Sequence, residues 1–326
     1  DGWRDIIAEG FTFGNVRLCA QGTAYLLAAQ GKSARGLAVG YDTRFASAEF
    51  AAAVAEVTAA NEVVTFLCDR PAPTPAVSYN LVARGAGGGV VITASHNPAR
   101  WNGFKYKPDY GGSASQAVID DLESHITDAE TSGQVRRVTL AQAERLGLLE
   151  YIDPETPYLG HIATLIDLDA IRRAGLNIVV DSMFGAGAGY LAKLLDGGTT
   201  KVTELHPEPN PAFPGITQPE PIARNLEVLL SAVPGQDADV GLANVSIQLG
   251  LTPKNDLGGV LSGRLTLNQA TISSPETGFD LIAGRSGSGS LANLPASRIQ
   301  MLSDDLTLMA ATYDKVILDL GAGVER

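Results

Sequence analysis

Cysteine is scarce. The two in the chain, Cys19 and Cys68, offer no disulfide framework and point to a reducing, cytoplasmic location. Long apolar runs are missing too: none approaches the ~18 residues of a membrane span, so no membrane partner is expected. The opening Asp-Gly-Trp-Arg lacks both a Met and a basic-then-apolar leader, which predicts a processed or shortened chain. Cations are short, with 24 Lys and Arg against 36 Asp and Glu and a net charge of −12. A general nucleic-acid binder needs a basic face to displace phosphate counterions, so nucleic acid is not an expected partner. A phosphorylated small molecule is still allowed, because a local cationic pocket can sit on an acidic protein. What is plentiful is apolar surface, 45% hydrophobic against 18% charged residues over 326 positions. That is enough for a packed core and for two or three domains.

The first half alternates two periods. Residues 15–31 space apolar side chains every three to four and stop at Gly31, a helix with a glycine stop. The runs 36–40, 62–67 and 88–93 are short and apolar, the first closed by glycine and the last opened by two, the pattern of buried strands. The segments 46–59 and 71–83 between them read as helices. This β-α-β-α-β rhythm predicts a largely parallel α/β sheet, with chemistry at the carboxyl ends of its strands. Asp42, Arg44 and residues 93–98 fall there. A helix is expected over 116–126 and a polar domain boundary over 127–150. A second rhythm follows: a strand at 176–180, Asp181, a glycine-rich turn at 185–189, a helix to Leu195, and a strand at 201–205. The six prolines of 207–221 require an irregular loop. A helix is expected at 222–233 and a strand at 238–243. Beyond that the texture changes, up to a long helix at 297–313 and a strand at 315–320. Cys19 reads as a packed thiol. His125, His161 and His206 have no metal-ligand spacing.

The sharpest motif is Thr93-Ala94-Ser95-His96-Asn97-Pro98, directly after a buried strand. Ser95 would sit on a tight turn, with His96 and Asn97 able to donate to oxygens and Pro98 stiffening the bend. A serine there can carry a phosphoryl group if cations stabilise the transferring oxygens. Lys105 is close enough in sequence to reach it. The alternative is a plain capping turn.

This segment resembles the phosphoserine loop of the α-D-phosphohexomutases, the phosphoglucomutase/phosphomannomutase family. Gly2-Trp3-Arg4, Ala8 to Thr12, Gly40-Tyr41-Asp42-Thr43-Arg44, Trp101 to Lys107, Asp181 to Tyr190 and the loop 207–221 agree with it, so the resemblance runs from residue 1 to about 243. It implies two consecutive three-layer α/β domains, at 1–130 and 150–243. It also implies transfer of a phosphoryl group from phosphorylated Ser95 to a hexose 1- or 6-phosphate, through a hexose 1,6-bisphosphate that reorients and returns a phosphate to Ser95. In that scheme His96 is the general acid/base. Arg4, Arg44 and Lys105 stabilise the phosphoryl oxygens, and Asn97 and Asn102 help bind substrate. Ser95, through its phosphate, is a ligand of Mg²⁺.

The pattern then breaks. The family seats Mg²⁺ on an Asp-Gly-Asp-X-Asp-Arg loop, whose alternating carboxylates suit a hard octahedral ion. Here Ala238 to Ala243 runs into Asn244-Val245-Ser246-Ile247-Gln248, and the family's third and fourth domains find no match in 244–326. Residues 237–244 also resemble a switch segment of MinD/ParA-type P-loop ATPases, as do 245–251 and 280–290. Lys315 to Gly323 is similar to their Walker B strand. The resemblance implies ATPase-like roles for Asp239 and Asp319. The phosphate cradle is missing, since the only Gly-Lys-Ser, Gly31-Lys32-Ser33, has Leu26 where a glycine is needed and sits at a helix end. The leading expectation is thus a phosphohexomutase N-terminal portion, unable to turn over, joined to a foreign tail. The alternatives are a MinD/ParA-like ATPase fragment without its nucleotide loop, and a hybrid sequence that no natural gene encodes.

Overall fold

The computed structural model describes residues 2–232, 255, 260, 263–274, 279–282, 304, 305 and 309. A six-stranded sheet organises the first half. Its strands are β1 (Trp3–Ile6), β2 (Leu37–Tyr41), β3 (Thr65–Cys68), β4 (Gly88–Ile92), β5 (Trp101–Pro108) and β6 (Leu149–Ile152), in the order β1-β5-β4-β2-β3-β6. β2 lies parallel to β3 and β4, and β3 parallel to β6, as helical crossovers require. β5 is antiparallel to both β1 and β4, which makes the sheet mixed rather than largely parallel. The reason is length: the segment 93–100 is too short for a crossover, which takes a dozen residues or more. The chain therefore turns straight back, and Ser95 lies in that turn.

Helices cover both faces. α1 (Phe13–Ala29), α2 (Ser47–Ala60), α4 (Gln116–Ser132) and α5 (Leu140–Arg145) share one core with Leu37, Val39, Val90 and Ile92. α3 (Thr74–Ala83) covers the other face, where Ala76 and Val77 meet Val91 and Leu81 meets Ala38. Successive residues of β2 and β4 thus serve opposite helix layers, the pattern of a strand buried on both sides. Two glycines let α3 approach. A Cβ at Gly40 would lie 2.3 Å from Val77 Cγ2, and one at Gly89 2.5 Å from Leu81 Cδ1.

The stretch 127–150, read as a polar domain boundary, carries regular structure. α4 continues to Ser132, a Thr139–Gln142 capping box starts α5, and β6 joins the sheet edge. α4 buries only Leu122 and Ala129, so its periodicity in sequence is weak. Gly31, with φ +66°, ends the turn after α1, and Lys32 Nζ pairs with Asp109 Oδ2 at 3.1 Å. Gly31-Lys32-Ser33 is a helix stop.

The second α/β segment contains α6 (Thr156–Leu165), α7 (Leu168–Arg173), β7 (Asn177–Asp181), α8 (Tyr190–Leu195), β8 (Lys201–Leu205) and α9 (Glu227–Ala232), with β7 parallel to β8. Residues 207–221 form no helix or strand, as their prolines demand. A second compact unit includes α10 (Leu267–Ala270) and the antiparallel pair β9 (Thr271–Ser274) and β10 (Phe279–Ile282). The strands expected at 238–243 and 315–320 lie outside the described residues. Of the helix expected at 297–313, Asp304, Asp305 and Met309 are described, and each is helical. No described helix is long and apolar enough to cross a membrane.

Candidate active site

Ser95 follows β4 by three residues, is exposed, and has φ +55°. A non-glycine residue in the left-handed region is costly, and such conformations gather where the surroundings over-determine them. Here the surroundings are specific. The Ser95 N–H donates to Thr93 Oγ1 at 2.9 Å, and the Asn97 N–H to the Ala94 carbonyl at 3.1 Å. Ser95 Oγ and His96 Nδ1 are 3.5 Å apart, at the outer limit of a hydrogen bond.

The main anchor is Arg44, only 4% exposed. Its Nη1 donates to the carbonyls of Pro98 (2.9 Å) and Trp101 (3.0 Å), and its Nη2 to those of Ser95 (2.8 Å) and Asn97 (2.6 Å). Its Nε lies 3.2 Å from Asp42 Oδ2. Burial pulls the Arg44 pKa down, opposed by Asp42; a guanidinium keeps its charge in such a setting. Asp42 Oδ1 accepts from the Arg44 N–H (3.0 Å) and from Ser47 Oγ (2.8 Å). Ser47 Oγ in turn accepts from Asn102 Nδ2 at 2.9 Å, while Asn102 Oδ1 takes the Gly103 N–H at 2.8 Å.

These contacts correct two expectations. Arg44 does not line an anion site, because both of its terminal nitrogens are taken up by the carbonyls of the turn. Asn102 does not face a substrate, because it is fully buried and bonded to Ser47 and Gly103. Both position the turn. Arg4 is nearer the expected role: its Nη1 donates to Asn97 Oδ1 at 3.1 Å, so Arg4 and Asn97 meet at the turn. Lys105 is half-buried on β5 opposite Val91, two residues along from Gly103, whose carbonyl accepts from the Thr93 N–H. His96 is exposed. Asp239 and Asp319 lie outside the described residues.

Sequence reasoning missed Ser47 and Phe213 as parts of this arrangement. The Phe213 ring sits over the Arg44 guanidinium at 5.2 Å, and nothing in a proline-rich loop pattern marks that contact. The described histidines share no metal site: His206 Nδ1 meets Asp181 Oδ1 at 2.8 Å, His161 stacks on Tyr79, and His125 lies 3.7 Å from Asp121. Burial pushes the Cys19 and Cys68 thiols up to about 12, in keeping with a packed Cys19.

The Mg²⁺ that the sequence resemblance implies needs several converging oxygen ligands. Among the described residues no three His, Cys, Asp or Glu side chains come together for a metal, and Asp42 is committed to Arg44 and Ser47. The described residues do not fit the ion; 238–248, where the family's metal loop would fall, lie outside them.

Comparison with known proteins matches the two α/β segments to one family. Residues 1–133 match the phosphoglucomutase/phosphomannomutase alpha/beta/alpha domain I, and residues 156–244 match domain II. A Komagataeibacter xylinus phosphoglucomutase is 32% identical over 191 residues, 56% of this chain and 34% of that protein. A Clavibacter michiganensis phosphoglucosamine mutase is 28% identical over 302 residues, 92% of this chain and 63% of that protein. A Thermus thermophilus structure assigned as a phosphomannomutase superposes with a TM-score of 0.64 at 32% identity, covering 71% of this chain and 50% of that one. The chain therefore spans about one third to two thirds of the length of these relatives.

Proposed function

Because the chain belongs over residues 1–244 to the phosphoglucomutase/phosphomannomutase family, we propose that it is a phosphohexomutase-type phosphotransferase whose phosphoryl carrier is Ser95. The observation that supports this most is the exposed, left-handed Ser95 held over the buried Arg44. The strand end presents the hydroxyl to solvent, and Arg44 fixes the backbone that carries it.

The substrates are hexose 1- and 6-phosphates and the intermediate a hexose 1,6-bisphosphate. A sugar hydroxyl attacks the phosphorus of phosphorylated Ser95. The bond from phosphorus to Ser95 Oγ breaks as the bond to the sugar oxygen forms; the hydroxyl proton passes to His96, and His96 gives a proton to the departing Ser95 Oγ, so that the serine ends as a neutral hydroxyl. The reverse step on the other phosphate returns the group to Ser95 and yields the isomer. Arg4 and Lys105 supply positive charge beside the transferring oxygens, where preorganised donors do most of the work of phosphoryl transfer. No step is assigned to Mg²⁺.

This 326-residue chain is further expected to exchange a phosphoryl group at Ser95 without sustained turnover. Its sequence after Ala243 contains no Asp-Gly-Asp-X-Asp-Arg. The ATPase likeness of the tail is carried no further. Gly31-Lys32-Ser33 closes a helix, and an alignment of 302 residues to the Clavibacter mutase in a chain of 326 must continue past residue 244.

The test is incubation with glucose 1,6-bisphosphate, followed by intact-mass measurement and peptide mapping beside a Ser95→Ala variant. One phosphoryl group on Ser95, absent from the variant and without continuous conversion of glucose 1-phosphate, is the expected result. A wild-type chain that takes no phosphoryl group, or takes it elsewhere, overturns the reading.

A further inference from the structure

The two terminal nitrogens of Arg44 are taken up by four carbonyls, while its buried Nε has no hydrogen-bond partner and only pairs in charge with Asp42 Oδ2 at 3.2 Å. The faces of the guanidinium remain, and Phe213 occupies one of them at 5.2 Å. Phe213 comes from the irregular loop after β8, more than a hundred residues away in sequence, yet it is 3% exposed. Its φ is +47°, a conformation that an aromatic residue adopts rarely and at a cost. The loop holds it there: the Phe213 N–H donates to the Asn210 carbonyl at 3.1 Å, and the Phe213 carbonyl accepts from the Ile216 N–H at 3.2 Å. A second tie runs beside it, from Thr43 Oγ1 to the Phe184 carbonyl at 2.9 Å. Phe184 and Met183 are again left-handed, at φ +60° and +46°.

We propose that Phe213 is a positioning residue for the Ser95 turn, acting through Arg44. A cation attracts the face of an aromatic ring, most strongly where both are out of water. With the ring in place, water cannot reach that face of the guanidinium and compete for the carbonyls of Ser95, Asn97, Pro98 and Trp101. The second α/β segment thus contributes to the order of a turn that the first segment builds. The proposal rests on the reading of Ser95 as the phosphoryl carrier, but its structural part is tested separately.

The experiment compares wild type, Phe213→Leu and Phe213→Tyr in the full chain by amide hydrogen exchange and by the rate of Ser95 phosphorylation from glucose 1,6-bisphosphate. Leu keeps apolar volume without a ring face; Tyr keeps the face. Phe213→Leu is expected to exchange the amides of Asn97 and Trp101 about 10-fold faster, while β2 and β4 stay as protected as in wild type. It is also expected to lower the maximal phosphorylation rate without changing the bisphosphate concentration for half-maximal rate. Phe213→Tyr restores both. Wild-type exchange in Phe213→Leu, or a Phe213→Tyr no better than Phe213→Leu, overturns the proposal. If wild-type Ser95 takes no phosphoryl group, the functional reading falls while the exchange data still decide the role of Phe213.

Discussion

On its inner side the Ser95 turn is held by a chain of partners: Asn102 to Ser47, Ser47 to Asp42, Asp42 to Arg44, and Arg44 to four carbonyls. On its outer side Ser95 and His96 are exposed and share one long contact of 3.5 Å. The inner side spends charge on geometry; the outer side leaves its groups available for chemistry. Two arginines expected to do the same work therefore do different work. Arg44 shapes the turn from within, and Arg4 meets it at Asn97.

Each side can be broken on its own. Short of removing Arg44 itself, the largest effect on stability is expected from Asp42→Ala, which leaves the buried Arg44 without its counter-charge and Ser47 without its acceptor. Removing one partner of a buried pair costs about 3–5 kcal/mol; Asp42 is partly exposed, so about 3 kcal/mol is expected from urea unfolding. A loss under about 1 kcal/mol, the scale of a surface pair, would mean the inner chain does not fix the turn. A smaller effect of opposite sign is expected from Ser95→Gly. Relief of the left-handed strain contributes about 1–2 kcal/mol, offset by about 0.5–1 kcal/mol of glycine chain entropy. The variant should be as stable as wild type or slightly more so, and take no phosphoryl group. A clear destabilisation would show that the turn depends on the Ser95 side chain for its shape. The smallest effect concerns a control region away from the turn. With the Cys19 and Cys68 thiols raised to about 12, both stay protonated well above neutral pH. Since the thiolate is the nucleophile, iodoacetamide at pH 8 should label neither in the folded chain and both after unfolding. Native labelling of Cys68 would show that the core around β3 opens.

Much of this was legible in the sequence. The apolar runs at β2 and β4 and the Thr93 to Pro98 hexapeptide place Ser95 at a strand's carboxyl end, because a doubly buried strand and a turn leave distinct residue patterns. β5 was not legible: Trp101 to Pro108 mixes polar and apolar residues, and its direction follows from the length of the loop before it. α4 was legible over 116–126, but its last turns, to Ser132, were not, because the helix buries only Leu122 and Ala129. The roles of Arg44 and Asn102 were misread for another reason. A residue type beside a phosphate-binding motif says which charge is near, while burial and the direction of the side chain decide whether it faces the ligand or the backbone. The Phe213 contact spans the two α/β segments, and such pairings leave no local trace.

The most direct measurement sets Arg44→Ala beside Arg4→Ala, each unfolded in urea and each assayed for Ser95 phosphorylation by glucose 1,6-bisphosphate. The prediction is a loss of about 3–5 kcal/mol for Arg44→Ala, from the unpaired Asp42 and the four orphaned carbonyls. Arg4→Ala should stay within about 0.5 kcal/mol of wild type, yet phosphorylate Ser95 about 10²–10³-fold more slowly, as loss of one preorganised donor implies. Equal destabilisation by the two substitutions, or an Arg44→Ala chain as stable as wild type, would contradict the division between the two sides of the turn.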